Sequence, residues 1–146
     1  MLASMFTPVL AALGGVAFGM FWYSPNVFGK KWAELKGFDQ KSLKKQQKNM
    51  GPSYLVNFFA TIIQAIFLEF FITSLGASSF AAYWSIAIAL WLGFVIPTQL
   101  GSLIFNTRPF SLTLFLIEGA YQLLSVLILA TLIGVSIFLQ QAGAFM

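Results

Sequence analysis

Apolar residues run almost unbroken along this chain, and polar clusters interrupt them at three places. The first stretch, residues 2–23, carries no charged side chain. At about 1.5 Å per helical residue it spans roughly 30 Å, one hydrocarbon thickness. Three more predominantly apolar stretches follow, over about residues 53–75, 80–105 and 110–139. The breaks between them carry turn signals: Ser24-Pro25, Gly51-Pro52, Gly76-Ala77-Ser78-Ser79 and Thr107-Arg108-Pro109. The pattern predicts one all-α domain over residues 1–146, a polytopic membrane protein of four transmembrane helices. The four-residue link 76–79 makes the second and third helices an antiparallel hairpin. Charges follow the first apolar stretch rather than precede it, so that stretch is read as retained and not as a signal peptide.

The longest break, 26–50, is basic. It holds Lys30, Lys31, Lys36, Lys41, Lys44, Lys45 and Lys48, seven of the eight cationic residues. Four spans put all seven and Arg108 on one side, which the positive-inside rule assigns to the cytoplasm, with both termini outside. Phe21, Trp22 and Tyr23 mark the interface, where amphipathic rings are favoured. Phe28, Trp32, Leu35 and Phe38 then recur at helical spacing, which predicts a short amphipathic segment lying on the cytoplasmic surface. The lysines set orientation, and anionic lipid headgroups are their expected partners.

Composition agrees. The chain is 59% hydrophobic and 8% charged, where soluble domains carry roughly 25% charged residues. Because the net charge of +4 is concentrated in one loop, it speaks for membrane orientation and not for nucleic acid. With no Cys and no His, the chain can form no disulfide, Cys/His zinc site, His-ligated haem or His-activated nucleophile. Every Lys lies in the loop, so no membrane-embedded lysine is available for a Schiff base. No cofactor and no metal are expected.

Position along each helix converts to depth. Asn57, Thr61 and Gln64 share a face with Tyr54 in the cytoplasmic half of the second helix. Gln99, Ser102 and Asn106 share one in the third, beside Thr98, and Ser111, Glu118, Gln122 and Ser125 share one in the fourth, beside Tyr121. Lipid-facing amides and carboxylates are costly, so the stripes should meet one another or water. Two arrangements satisfy this. One is a polar cavity open to the cytoplasm, with Glu118 as its only carboxylate, about eight residues or roughly 12 Å into the helix, and Arg108 near its mouth. The other is cross-helix packing in which Glu118 reaches Arg108 or a Tyr. Pro97 is expected to kink the third helix just above the cluster by freeing the Gly93 carbonyl. Pro8 falls near the start of the first helix, where a missing N–H costs least. Glu69 lies about 140° around the second helix from Gln64 and is expected to pack against another helix near the outer surface. Ala11, Gly15 and Gly19 recur every four residues, a small-residue face for close helix packing.

The block Trp22-Tyr23-Ser24-Pro25, with Phe28-Gly29-Lys30 and Trp32, resembles the signature of a bacterial membrane family, the domain of unknown function 1761 (DUF1761). Gly93-Phe94, Pro97, Arg108-Pro109 and Gly119-Ala120-Tyr121 resemble its later positions, so the resemblance covers nearly the whole chain. It implies a four-helix protein of the inner membrane, with Trp22, Tyr23, Pro25, Lys30 and Trp32 as the interface signature. In the family pattern a His often follows the tyrosine. This chain has Gln122 there, so a proton-relay role resting on that His does not carry over.

Two functions fit these residues. One is a transporter or channel-like protein working through the cavity around Glu118, as a homo-oligomer. The other is an accessory subunit of a larger membrane complex, its 17 Phe packing against other helices or lipid tails. An enzyme is not expected, because no motif spacing joins Glu118 or Glu69 to a nucleophile.

Overall fold

The computed structural model describes residues 2–38, 51–105 and 110–143, with side chains from residue 6 onward. Asn106, Arg108, Lys41, Lys44, Lys45 and Lys48 lie outside the described residues. Five helices account for most of what is described: α1 (Leu2–Trp22), α2 (Gly29–Leu35), α3 (Gly51–Ser74), α4 (Phe80–Ile104) and α5 (Leu112–Gly143). No strand occurs among the described residues. Three helices are long and apolar enough to cross a bilayer: α3 with 24 residues, α4 with 25 and α5 with 32. In α1 the described apolar stretch is shorter, Phe6–Trp22. Phe59, Phe67, Phe70, Phe94 and Phe138 are all more than half exposed on the outside of the bundle. Water would not tolerate so much apolar surface, whereas lipid tails solvate it. The fold therefore fits a membrane protein.

Helix ends follow local chemistry. Gly37 (φ 70°) and Gly76 (φ 63°) take the left-handed conformation that ends α2 and α3. After α3, Ala77 N–H donates to Ile72 O at 3.0 Å and Gly76 N–H to Thr73 O at 3.1 Å, a Schellman closure. Ser79 then caps α4, its Oγ accepting from Ala82 N–H at 3.3 Å. Pro8 sits six residues past the start of α1, beyond the first turn where a missing N–H costs least. The Ser4 carbonyl therefore loses its helical donor, a defect that membrane helices tolerate better than soluble ones.

Helix α5 touches every other helix, and α1 lies between α5 and α3. The close approach depends on small residues. A Cβ on Gly15 would lie 3.1 Å from Thr61 Cγ2 and 3.4 Å from Leu129 Cδ2. One on Gly19 would lie 2.9 Å from the Tyr121 hydroxyl, and Ala11 is fully buried. The small-residue face of α1 is thus occupied within the chain. On the other side of α5 the ring of Tyr83 lies over Gly134, where a Cβ would meet Tyr83 Cδ2 at 2.6 Å. Leu68, Ile72, Leu129, Ala130 and Ile133 fill the core between these contacts.

Helix α4 is not uniform. It is α-helical over Phe80–Leu90 and Ile96–Ile104, and π-helical over Trp91–Val95. Ile96 N–H donates to Trp91 O, an i→i−5 bond. Pro97 explains the change: its ring would strike the carbonyl of Gly93 in a regular helix, and widening the turn before it relieves the clash. The Thr98 hydroxyl satisfies the Phe94 carbonyl at 2.6 Å.

Gly15→Leu should separate α1 from α3 and α5 and cost about 1–3 kcal/mol, as overpacking generally does. Thermal unfolding in detergent, with Gly143→Leu as a control at a position with open space around it, checks this.

Candidate functional site

The site begins where α1 ends. Ser24-Pro25 stops the helix and the chain turns back on itself, with Phe28 N–H donating to Trp22 O (3.1 Å) and Gly29 N–H to Ser24 O (3.0 Å). A side chain on Gly29 would collide with the backbone oxygen of Tyr23, so only glycine permits this turn. The turn lays α2 across the end of the bundle, where aromatic rings hold it. Phe28 packs on Trp22 with centroids 4.5 Å apart, and Trp32 meets Tyr23 edge-on at 5.3 Å. Tyr23 meets Tyr121 edge-on at 4.9 Å, and Tyr121 stacks on Phe18 at 5.9 Å. The signature rings therefore form one cluster joining α1, α2 and α5, worth more than an interfacial belt alone.

Trp32 and Lys36 are one helical turn apart and share a face. That face meets Glu118, six residues past the start of α5, or about 9 Å along it. Trp32 Nε1–H donates to Glu118 Oε1 at 3.0 Å, and the Lys36 ammonium reaches the same oxygen at 2.8 Å. The ammonium also lies 5.7 Å from the Trp32 ring centroid. The Glu118 side chain is 19% exposed and that of Lys36 30%. The pair is consequently less screened than Lys31–Glu34 (3.0 Å), which stands at 52% and 70% and contributes little.

Beside this pair opens a cavity of about 520 Å³, lined by Tyr23, Gln64, Phe94, Val95, Thr98, Gln99, Ser102, Glu118 and Gln122. The π-helical turn supplies Phe94 and Val95, and the turn of helix after Pro97 supplies Thr98, Gln99 and Ser102. Gln99 Nε2 donates to Phe115 O at 3.3 Å, while its Oε1 is buried with no partner among the described residues. The Ser102 hydroxyl turns back to Gln99 O at 2.9 Å.

The structure thus brings together Gln64, Gln99, Ser102, Glu118 and Gln122. It does not bring in the others expected beside them. Thr61 turns toward Gly15 of α1, with its hydroxyl bonded to Asn57 O at 2.8 Å. Asn57 faces outward, and Tyr121 is taken up by the aromatic cluster. The α3 stripe splits because α1 packs against the face that Thr61 occupies. Asn106 and Arg108 lie outside the described residues, and the cation found on Glu118 is Lys36. Glu69 is not in the wall of the cavity that Glu118 lines. Lys30 and Pro25 do not reach the cavity. The reading of the loop as a surface segment missed that Trp32 and Lys36 point at an acid. Their four-residue spacing was a usable signal, because it puts a ring donor and a cation on one face.

A family model described as "Protein of unknown function (DUF1761)" matches residues 7–134. No curated protein and no solved structure matches the chain.

Lys36→Met should leave Glu118 half-buried and short of its counter-ion, and should destabilise more than the double variant Lys36→Met/Glu118→Gln. A double-mutant cycle read by thermal unfolding should give a coupling of about 1–2 kcal/mol. Additivity would mean that the pair contributes nothing.

Proposed function

The chain belongs to the DUF1761 family, and from that premise we propose a transporter-like or channel-like integral membrane protein whose cavity around Glu118 opens toward the cytoplasm. The description of the family names no activity, so the reading rests on the site. The observation that carries it is the coincidence of a roughly 520 Å³ polar cavity with the one intramembrane acid in its wall, both at the lysine-bearing end of the bundle. Intramembrane acids are costly and usually mark a binding or conduction site. The reading takes α1 as a fourth crossing, the lysine-rich loop as cytoplasmic in a bacterial inner membrane, and both termini as external. The role is binding and passage and not catalysis.

In this reading Glu118 is held rather than free. Lys36 and Trp32 occupy its Oε1, and a cationic solute that replaced the Lys36 ammonium there would free α2 to move. The tight packing of α1 against α3 and α5 leaves the looser side of the bundle, between α3 and α4, to accommodate a solute. A homo-oligomer would have to use a surface other than the small-residue face of α1, which the chain itself fills. A second reading, an accessory subunit, is favoured by the outward projection of Phe105 (90% exposed) at the end of α4.

Glu118→Gln should abolish a proton-coupled or cation-coupled flux in proteoliposomes, and unchanged flux would remove Glu118 from the mechanism. Because the chain has no Cys, single cysteines at Lys30 and Ala142 report orientation directly. An impermeant maleimide applied outside cells should label position 142 and spare position 30. Copurification at fixed stoichiometry with larger membrane proteins would instead favour the accessory-subunit reading.

A further inference from the structure

The polar cavity has an apolar neighbour. A second cleft, of about 290 Å³, runs between α3, α4 and α5 and shares Gln64, Phe94 and Val95 with the first. Its other walls are apolar, including Phe67, Phe71 and Leu129. The helices that bound it are those long and apolar enough to cross a bilayer, so the medium outside it is lipid tail. The two recesses adjoin along Gln64, Phe94 and Val95 and together offer an ionic end and a hydrocarbon end, the two halves of an amphiphile.

We propose that these adjoining recesses bind one phospholipid with a zwitterionic, amine-bearing headgroup, of the phosphatidylethanolamine class. The headgroup would lie at Glu118 and Lys36, and an acyl chain in the cleft between α3 and α4. This rests on reading the Glu118 cavity as a binding cavity, and it names the ligand class. The charges select the headgroup. One carboxylate and one ammonium lie 2.8 Å apart. A ligand carrying both an ammonium and a phosphate can take the two partners apart and pair each, leaving no charge unmatched. A purely anionic headgroup satisfies Lys36 and leaves Glu118 repelled. A quaternary amine offers Glu118 charge but no N–H donor, whereas a primary ammonium offers three. Two polar atoms in the walls also lack partners among the described residues: Gln99 Oε1 beside the ionic end and Trp91 Nε1 along the cleft. Both atoms are buried as they stand, and a rotation of the Trp91 side chain would bring its indole N–H to an ester carbonyl, the group that joins headgroup to chain. The π-helical turn that carries Trp91, Phe94 and Val95 lies at the junction of the two recesses, so the distortion imposed before Pro97 shapes the passage between them.

The test uses the full chain, purified in a mild detergent and exposed to equal mole fractions of phosphatidylethanolamine, phosphatidylcholine and phosphatidylglycerol. Native mass spectrometry counts the lipid retained. The expected result is one retained phosphatidylethanolamine per chain, preferred by about tenfold, the ratio that one charge-assisted hydrogen bond supports. Glu118→Gln should remove the headgroup preference. Val95→Trp should block the junction and lower retention of all three lipids, with Gly143→Leu behaving as the parent. Melting curves recorded on the same samples identify any variant that fails to fold, and Gln64→Leu, which strips a polar group from the shared wall, then replaces it. Equal retention of the three lipids, or a preference that survives both substitutions, overturns the proposal. If a Glu118-dependent flux of a water-soluble cation persists without lipid preference, only the ligand class is wrong. If lipid preference persists without flux, only the transport reading falls, and if neither is seen both fall.

Discussion

A carboxylate set in an apolar helix has to be compensated, and the lysine-bearing end of this bundle is arranged around that requirement. Glu118 sits six residues into α5 with only a small part of its side chain exposed. Left alone it would carry a desolvation cost of several kcal/mol. Trp32 and Lys36 meet that cost together, at 3.0 and 2.8 Å on one oxygen. For both to arrive, α2 must lie across the end of the bundle with one face inward. That placement in turn needs a turn tight enough to forbid any side chain at Gly29. The Trp-Tyr-Ser-Pro block and the acid on α5 are therefore two ends of one structural element, although 86 residues separate Trp32 from Glu118.

The bundle is tight on one side and open on the other, and the cavity follows from that difference. Gly15 and Gly19 let α1 sit against α3 and α5 at backbone distance, which uses up the polar face of α3 near Thr61. Helix α4 has one comparable contact, Tyr83 over Gly134, and it lies far from Glu118. Nearer the acid, the widened turn before Pro97 keeps α4 from closing on α3. Polar side chains that would otherwise bond across helices instead line space: Gln64, Gln99 and Gln122 all face the same recess. A hydrogen-bonded interior and a cavity are alternative uses of the same residues, and packing geometry selects between them.

The proposed function requires the ion pair to be exchangeable. In the proposed function the Lys36–Glu118 pair acts as a latch, so that a ligand displacing Lys36 would also loosen α2. The ring contacts between Trp32, Tyr23 and Tyr121 hold α2 against the end of the bundle.

Much of this could be read from the chain alone, for a reason that applies to membrane proteins generally. The solvent dictates length and composition, so the apolar stretches, the turn at Gly76 and the charge asymmetry of the lysine loop are properties of local sequence. The position of Glu118, Gln99 and Gln122 along their helices was legible too, because it is only distance along the chain. Rotation was not legible. Which face of α3 meets α1, which cation reaches Glu118 and which way Trp32 points all depend on how helices turn about their own axes. Those angles are set by contacts between distant residues: Gly15 against Thr61, Tyr83 against Gly134, and α2 against α5. The widened turn in α4 adds a rotation that a regular period of 3.6 residues does not contain. Sequence determined the apolar helices and the order of the polar groups along them, while tertiary packing decided which of those groups meet.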